Sequence, residues 1–518
     1  MPGGVNQLAL FGKEDLVLSG QPEVTFFRSK HKRYSVFSLE SILAPFQSEA
    51  TFGRRTVLPI TRSGDLVYSV FLEVDLPDLR DFAIETVTPA ASAVPGIVSA
   101  RWESSTTANI RIIPCLDGAD DSYDVLVDDG TTQVTVNGAA GATDVPITAL
   151  DKTKSYSISV RRVASGTPGS YSTTVAVSSV RWCNSIGHAL CKTVDFEIGG
   201  ARVSRITSEW MDIDAELSLP SEKEEGFNTM IGKFPNYDLW DQSLQGPTKL
   251  FIPLNFSWCR NPGLSLPIVQ LVYHTMNLVF DIREYNELIK STVPVSSLVN
   301  QTGRTPSLDI QAYITYVFLS TQERKKFLEN SHELLLQNVQ FLGDTPVIVS
   351  GSENSLQRKY DLNFVHPVSE ILWTYNAAAK YNSGITPSQY PVQGNDYFDY
   401  EAPGGAVDPI AKAVIHVNGH ARYAERSGKY HRLLQPYGHH TRIPNKKVYC
   451  YSFALQPEAE SSPSGSINLS RADTAHLQVT FDPSFSQGTS DGRLRVYART
   501  LNVLRFSGGM GTLLFTST

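Results

Sequence analysis

Apolar and polar residues alternate along many short stretches of this chain. The alternation is clear in Tyr68–Leu76, Ile310–Phe318, Leu477–Phe481 and Leu494–Ala498. Because successive side chains of a β-strand point to opposite faces, a period of two predicts strands with one buried face. The chain is therefore predicted to be mostly β.

Helical signals are few. Ser320 and Glu323 form a capping box ahead of Arg324–Leu336, and Ser221 with Glu224 forms a weaker one. A serine followed three residues later by a glutamate satisfies free backbone N–H groups at a helix start. We expect these helices to lie in the loops of a β scaffold.

The strand-rich pattern occurs twice, from Val24 to about Glu287 and from about Leu308 to Thr518. In each pass an alternating stretch comes first, a helix and loop segment interrupts it, and a strand-rich tail follows. Two similar all-β units indicate a building block, not a catalyst. The predicted boundaries are an N-terminal arm at residues 1–23, a first unit at 24–87 and 181–290, an inserted block at 88–180, a linker at 291–307 and a second unit at 308–518.

The inserted block is bounded by small and proline-containing stretches, Thr88–Pro95 and Ser178–Ser179. Short strand-like runs inside it are separated by Asp-Gly, Asn-Gly and Thr-Pro-Gly turns, which favours a small sandwich. The spacing of Leu150 and Tyr156 resembles the tyrosine corner of immunoglobulin and fibronectin type III domains, with Trp102 as the core indole. The alternative is an elaborated hairpin without a core of its own.

Composition narrows the function. A chain of 518 residues exceeds one hydrophobic core, and its net charge of -7 argues against coating nucleic acid, which requires a basic face. Five widely spaced cysteines without a CxxC pair disfavour both a disulfide framework and a zinc site, and indicate a reducing compartment. We expect no secretory signal and no apolar run that spans a bilayer.

Several residues suggest chemistry but lack the required pattern. The histidines His416, His420, His431, His439 and His440 fit no helical metal-ligand spacing. Asp212, Asp214 and Glu216 alternate as the solvated face of a strand does, whereas a glycosidase pair needs a cleft. We predict no catalytic residue, no cofactor and no metal.

A dozen or so short motifs then appear in one order along the chain. They are Gly3–Leu8, Val24–Arg28, Phe37–Ser41, Gly187–Leu190, Val194–Gly200, Trp210–Ile213, Cys259–Pro267, Glu323–Phe327, Asn330–Glu333, Asn363–Val368, Asn418–His420, Gln435–Thr441, Tyr451–Leu455 and Ser464–Ser470. In this collinear order the chain resembles the major capsid proteins of nucleocytoplasmic large DNA viruses, the phycodnavirus and iridovirus type.

The resemblance implies an all-β fold of two consecutive eight-stranded jelly rolls, with the immunoglobulin-like block inserted in the first. It implies homotrimers that form pseudo-hexagonal capsomers, which tile an icosahedral shell around an internal membrane and a DNA genome. The motif residues expected to act through packing are Phe26, Phe27, Trp210, Arg260, Asn261, Pro262, His366, Pro367, Gln435, Pro436 and Tyr437.

The resemblance also sets the expected partners. These are neighbouring capsomers, minor capsid proteins and the membrane surface, with assembly in the host cytoplasm. The inserted block is expected to be exposed as a decoration, and its contact is either the host or a neighbouring capsomer. Direct contact with nucleic acid is not expected.

The basic residues Arg28, Lys30, Lys32 and Arg33 form one run near the N-terminus. One interpretation is an inner-face patch against lipid headgroups or minor capsid proteins, since each basic residue near an anionic membrane contributes about 1 kcal/mol. The other is a solvated strand face or a trimer contact.

A second functional class stays open from the residues alone. It is a carbohydrate-binding or carbohydrate-active β-sandwich with a fibronectin-like accessory module. Such an enzyme would need a converging acid and base in a cleft, whereas a shell protein needs large lateral interfaces.

Overall fold

A computed structural model gives the fold. It describes residues 5, 10, 12–13, 19–29, 31–77, 82–84, 96–102, 108–113, 122–128, 133–138, 144–150, 156–164, 167–168, 171, 175–176, 180–234, 248–291, 298–300, 308–347, 356–378, 393–401, 408–482 and 492–515. Within them, no helix has the length and apolar character needed to cross a bilayer.

Strands dominate, as the alternation predicted. In chain order they are β1 (Phe37–Ala44), β2 (Arg55–Ile60), β3 (Leu66–Leu76), β4 (Phe82–Ile84), β5 (Gly96–Trp102), β6 (Ala108–Ile113), β7 (Ser122–Asp128), β8 (Gln133–Gly138), β9 (Asp144–Ile147), β10 (Ser157–Ala164), β11 (Thr167–Pro168), β12 (Val175–Ala176), β13 (Val180–Trp182), β14 (Cys191–Ile198), β15 (Ala201–Thr207), β16 (Thr248–Pro253), β17 (Met276–Ile282), β18 (Ile289–Ser291), β19 (Leu298–Asn300), β20 (Asp309–Leu319), β21 (His332–Val347), β22 (Gln357–Asp361), β23 (Pro367–Ala377), β24 (Gln393–Gly394), β25 (Ile410–Val417), β26 (His420–Ala421), β27 (Arg426–Ser427), β28 (Val448–Ser452), β29 (Ile467–Asn468), β30 (Ala475–Phe481), β31 (Gly492–Ser507) and β32 (Met510–Leu513).

Helices are short and lie between strands. The α-helices span Ile186–Leu190, Ser208–Ser218, Glu224–Ile231, Ser257–Arg260, Tyr285–Leu288, Thr321–Glu329 and Gln435–His439; 3-10 helices span Ser221–Lys223, Pro262–Leu264, Ile268–Gln270 and Leu469–Arg471; a π-helix spans Tyr430–Leu434. Half of the predicted capping box is present, because Ser320 Oγ accepts from Glu323 N over 3.5 Å. The reciprocal bond is not formed: Glu323 Oε1 accepts from Lys326 Nζ, and Ser320 N donates to the Val36 carbonyl oxygen. The helix ends at Glu329, earlier than the predicted Leu336, because β21 begins at His332.

The first sandwich pairs the four-stranded sheet β1-β20-β3-β16 with the four-stranded sheet β15-β14-β17-β2. The second pairs β21-β31-β23-β28 with β22-β30-β25-β26, and β27, β29 and β32 extend these sheets. The eight strands of each unit follow the same order, so both sandwiches have the crossed antiparallel connections of a jelly roll. The predicted double jelly roll is confirmed.

The boundary between the units differs from the prediction. The strand β20, assigned from its alternation to the start of the second unit at residue 308, pairs with β1 and β3 instead. Ile310, Ala312 and Ile314 therefore pack in the first core, and the second unit begins with β21.

The predicted linker at 291–307 also holds β19, which pairs with β4. At the other end, β1 starts only at Phe37, so the arm extends beyond residue 23.

The inserted block leaves the first sandwich between β3 and β14. It contains the sheet β5-β6-β9 and a second sheet, β11-β10-β7-β8, with β12 on β10. Tyr123, Val125, Ile147 and Val160 are among the buried residues of a hydrophobic cluster that contains only residues of this block. The block therefore has a hydrophobic core of its own. The alternative of an elaborated hairpin without a core was wrong.

The proposed tyrosine-corner residues lie at the edge of that core. Leu150 and Tyr156 are partly buried and pack against the cluster. Trp102 lies on β5, and its side chain is outside the described residues. The immunoglobulin-like identity of the block therefore stays a prediction.

Candidate functional site

The two sandwiches meet across a sheet that is buried on both sides. Along β31, Leu494, Val496 and Ala498 face the second core, and the alternate residues face the first sandwich. These alternate positions include Arg495 and Arg499, which are both buried. A row of arginines that resembles a solvated strand face is thus enclosed between two cores.

The opposite wall of this junction is the helix Ser208–Ser218, on the connection between β15 and β16. Its N-cap is Thr207, whose Oγ1 accepts from Trp210 N over 3.2 Å. Glu209, Asp212, Asp214 and Glu216 are all buried on it. The interpretation of Asp212 to Glu216 as the solvated face of a strand was therefore wrong: the segment is helical and enclosed.

Each of these four carboxylates contacts a cation. Arg495 Nη1 lies 2.6 Å from Glu209 Oε1, and Arg283 Nη2 lies 3.2 Å from the same oxygen. Lys446 Nζ lies 2.6 Å from Asp212 Oδ1. The pairs with Arg495 and Lys446 join a first-sandwich helix to a strand and a loop of the second, whereas Arg283 directly follows β17 of the first.

The pairs at the other two carboxylates complete the set. Asp214 accepts from Arg499 Nη2 over 2.9 Å and also from Arg260. Glu216 Oε1 lies 2.5 Å from Lys233 Nζ. Of these three cations, Arg499 belongs to the second sandwich, whereas Arg260 and Lys233 belong to the first.

The pKa directions favour ionisation of Glu209, Asp214 and Glu216, whose pKa values all lie below the ordinary ones. Burial instead raises the pKa of Asp212, although Lys446 and Lys233 oppose that shift. Burial would raise the pKa of Glu209, but Arg495 and Arg283 lower it to about 2. Burial likewise opposes ionisation of Asp214, yet Arg260 and Arg499 hold its pKa below the usual range. Removing one partner of a buried pair leaves an unpaired charge, which costs about 3–5 kcal/mol. The junction therefore fixes how the two sandwiches sit together.

A charged histidine extends the junction. Glu370 accepts from Arg499 and lies 2.9 Å from His440 Nε2, while His440 Nδ1 lies 2.8 Å from Glu458 Oε1. Burial would lower the pKa of His440, but Glu370 raises it to about 12. His440 is therefore an imidazolium that links two carboxylates.

One carboxylate at the rim behaves differently. Glu460 is buried and lies 3.6 Å from Arg260 Nε. Burial raises its pKa to about 7, because Arg260 compensates only partly and Asp214 adds negative charge. Glu460 is thus a carboxylate of the junction whose pKa lies near neutral pH.

A polar cleft of about 560 Å³ opens beside this network. Arg260, His439, His440 and Glu458 are among the residues that line it. His440 and Glu458 already contact each other there, and His439 Nδ1 lies 3.0 Å from the Leu455 carbonyl oxygen. The ionised groups in the cleft are used in structural pairs.

The structure brings several predicted motif residues to this junction and leaves others outside it. Trp210 is buried, and its ring lies 5.0 Å from the Arg499 guanidinium carbon and 5.7 Å from the Tyr497 ring. Gln435 Oε1 accepts from Ser452 N over 3.1 Å, and Pro436 is buried next to it. Tyr437, in contrast, is exposed.

Other motif residues shape turns. Asn261 Oδ1 accepts from Gly263 N over 2.9 Å and so caps the turn that starts at Pro262. His366 has a φ of 70°, a left-handed conformation, directly before Pro367 opens β23, and its N–H donates to Ser470 Oγ over 2.8 Å.

The N-terminal motif residues do not pack in a core. Phe26 and Phe27 are exposed, as are Arg28, Lys32 and Arg33, and Lys30 lies outside the described residues. The five histidines named above are not gathered around a common point: in the described part of the chain, no group of three or more His, Cys, Asp or Glu is placed to hold a metal. Burial lowers the pKa of His431 to about 4, which keeps it neutral.

Sequence reasoning missed Glu209, Glu370 and Lys446. The sequence did contain an indication of the buried pairs. One eleven-residue helix holds four acidic residues and also carries Trp210 and Ile213. Such a helix has no polar face, so its acids require buried partners.

Two family models match consecutive parts of the chain. The model described as large eukaryotic DNA virus major capsid protein matches residues 323–512. The model described as major capsid protein N-terminus matches residues 25–104 and 157–320, and its gap at 105–156 falls within the inserted block.

Individual proteins extend the similarity over the whole chain. The major capsid protein of Phaeocystis pouchetii virus is 27% identical, and that of Chrysochromulina ericina virus is 28% identical, each with 100% of both chains covered. The solved structure of VP54 from PBCV-1 aligns with a TM-score of 0.64 at 22% identity, covering 95% of this chain and 100% of that one. The chain therefore belongs to the major capsid proteins of large eukaryotic DNA viruses, and it is a structural protein of the virion shell.

Proposed function

We propose that three copies of this chain form a pseudo-hexagonal capsomer, and that capsomers tile an icosahedral shell around an internal membrane and genome. The observation that carries the proposal is the junction, which fixes two sandwiches of the same strand order side by side. Three such pairs present six similar units around one axis. A rigid relative orientation is what repeated lateral contacts on a closed surface require.

Exposed apolar residues supply candidate contact surfaces. Leu434, Tyr437 and Leu455 are exposed near the helix Gln435–His439, and His439 bonds the Leu455 carbonyl oxygen. Contiguous exposed apolar groups are typical of protein interfaces. We assign them to contacts between subunits or between capsomers.

The chain's role is assembly without catalysis. The four helix acids contact cations instead of converging on a cleft, which removes the support for the carbohydrate-active alternative. Assembly in the host cytoplasm and contacts with minor capsid proteins and the internal membrane belong to the same proposal. The basic run of the arm has two candidate roles, one beneath the shell and one between subunits.

The inserted block is proposed to be a surface decoration that contacts the host. Its support is the separate core, which lets the block stand apart from the sandwiches. The block lies within the single connection between β3 and β14. It can therefore extend outward from the first sandwich without altering the strands that form the shell.

Light scattering of the purified chain tests the capsomer. The expected result is a species of three times the chain mass, with a hexagonal outline when the same fraction is imaged. A stable monomer across the micromolar range would contradict the proposal. Unfolded or aggregated material is distinguished by circular dichroism of the same fraction.

A further inference from the structure

The N-terminal arm carries large apolar side chains that this chain leaves uncovered. Phe26 is 92% exposed and Phe27 is 100% exposed, and Tyr34 and Val36 are also exposed. The arm is tied to the body at its end, where Ser320 N donates to the Val36 carbonyl oxygen over 3.3 Å. Burying a phenylalanine side chain contributes about 1.5–3 kcal/mol, so neighbouring exposed ones favour a partner surface.

The same arm is basic. Arg28, Lys32 and Arg33 are exposed between these aromatic residues. A surface complementary to the arm is therefore both apolar and acidic.

The outer face of the sheet β1-β20-β3-β16 has an apolar row. Leu43 lies opposite Tyr313, Tyr313 opposite Phe71, and Phe71 opposite Pro253, so the row crosses all four strands. The Phe71 and Tyr313 rings are stacked with centroids 5.2 Å apart. Leu43 is 53% exposed at one end of the row, and Phe251 beside the other end is 37% exposed.

The acids of this face adjoin the row. Asp75 lies directly opposite Asp309 in the strand register, and Glu73 precedes Asp75 on the same face. Like charges directly opposite each other across a strand pair are destabilising. Lys249 contacts Glu73 and lies 3.5 Å from Asp75; among the described residues it is the one cation that pairs with these three acids. The face therefore has unbalanced negative charge beside the half-buried rings of Phe71 and Tyr313 and the exposed ring of Phe251.

We propose that the arm of one copy docks on this outer face of the next copy, with Phe26 and Phe27 on the apolar row and the arm's basic residues near Glu73, Asp75 and Asp309. This inference rests on the proposed trimer and names one of its contacts. The contact is heterologous, because arm and face are different surfaces. A heterologous contact closes into a ring when its rotation matches a symmetry axis, and the proposed trimer sets that axis as threefold.

A second copy fits better than the chain's own arm. The arm joins β1 at Phe37, opposite Leu319, whereas Asp75 and Asp309 lie at the other end of β20. That separation is about 33 Å at about 3.3 Å per residue, so the chain's own arm would have to reverse and run back along the sheet.

Mixed-chain disulfide formation tests the contact. The variants Phe27→Cys and Phe251→Cys are prepared separately, mixed under dissociating conditions, reassembled and oxidised. A covalent dimer of the two variants is expected on a non-reducing gel. Phe27→Cys mixed with Met230→Cys is the matched control, because Met230 is also 37% exposed but lies on the helix Glu224–Ile231.

Charge reversal gives the second measurement. Arg28→Glu with Arg33→Glu is expected to weaken trimer association at least tenfold, and Asp75→Lys with Asp309→Lys is expected to restore part of it. Lys325→Glu with Lys326→Glu, exposed on the helix Thr321–Glu329, is the control and should leave association within twofold. Circular dichroism melting checks that each variant is folded.

The outcomes separate the two proposals. A wild-type monomer would overturn both. The arm contact alone would be overturned by a different set of results. The wild type would be a stable trimer, Phe27→Cys with Phe251→Cys would give no more covalent dimer than the control, and charge reversal would leave association unchanged. Loss of flotation with phosphatidylserine vesicles in the arm variants, with association unchanged, would assign the arm to a membrane instead.

Discussion

Arg499, on a strand of the second jelly roll, donates from its Nη2 to Asp214 Oδ1, on a helix of the first, over 2.9 Å. The same guanidinium donates to Glu370 on a neighbouring strand of its own sheet. Two buried carboxylates from different units thus share one arginine. Arg499 therefore holds the sheet and the helix together, alongside the Arg495–Glu209 pair.

We expect Arg499→Ala to lower the free energy of unfolding by about 3–5 kcal/mol, because Asp214 and Glu370 would keep a buried charge with fewer partners. Arg505→Ala is the matched control on the same strand, since Arg505 pairs with Glu333 at an exposed site where ion pairs contribute about 0–1 kcal/mol. Urea unfolding of both variants checks this. Equal losses for the two variants would contradict a special role for Arg499.

Glu460 predicts a pH dependence. Its folded pKa of about 7 lies above the ordinary 4.5 of a glutamate, so the folded state binds the extra proton between these values. Stability from this group is therefore present at low pH and is lost as pH rises toward about 7. Glu460→Gln should stabilise the chain above pH 7, by about 1–3 kcal/mol, and should flatten this slope. Thermal melting at pH 5 and pH 8 measures it; a larger gain at pH 5 would contradict the assignment.

His440 gives the same direction for a different reason, because here the protonated form is the charged one and its carboxylate partners stabilise it. Its folded pKa of about 12 lies above the ordinary 6.5 of a histidine, so its contribution is complete below about 6.5 and is lost as pH rises toward the folded value. At pH 9 the ring nitrogens should both carry protons, which nitrogen NMR of the labelled ring detects. A neutral ring for His440 at pH 8 would refute the imidazolium link.

Trp210 is expected to act through packing. Trp210→Ala removes a buried indole between Arg499 and Tyr497, and we expect a loss of about 3–5 kcal/mol together with a lower trimer yield. Leu328→Ala removes an exposed side chain from the helix Thr321–Glu329 and should leave unfolding nearly unchanged. Denaturant titration of the two variants distinguishes them, and normal melting of the Trp210 variant would count against the packing role.

The inserted block should be dispensable for trimer formation. Replacing residues 88–179 with a short Gly-Ser linker retains Val180, which starts β13 and pairs with β18, and it removes a block with its own core. An inserted domain that closes its own core returns the chain near its departure point. Light scattering of the shortened chain should still give three copies. Loss of all soluble trimer would show that the block belongs to the sandwich fold.

The sequence predicted the strands better than their partners. Alternation in Ile310–Phe318 identified a strand, but alternation is local and carries no information about which sheet the strand joins. β20 was therefore assigned to the second unit although it completes the first. The double jelly roll was predicted from the resemblance carried by the collinear motifs, because periodicity alone does not specify a fold.

The junction was hidden for a related reason. Arg493, Arg495 and Arg499 alternate with apolar residues as a solvent-facing set would, and Asp212, Asp214 and Glu216 do the same. Each set has the pattern of an exposed face because its burial depends on the other set, which lies far away in sequence. Only the tertiary structure brings the opposite charges together.

The position of β20 also bears on how the chain is made. Ser41 of β1 and Thr315 of β20 are hydrogen-bonded over 3.0 Å but lie 274 positions apart in sequence. During synthesis, β1 and β3 leave the ribosome long before the strand that separates them, while the inserted block emerges complete in between. Contacts between residues so far apart in sequence form slowly. Until β20 takes its place, β1 and β3 have unpaired strand edges that other chains can contact. The nascent capsid subunit therefore holds an open sheet until residue 319 is available, and its folding yield depends on how well that gap is shielded.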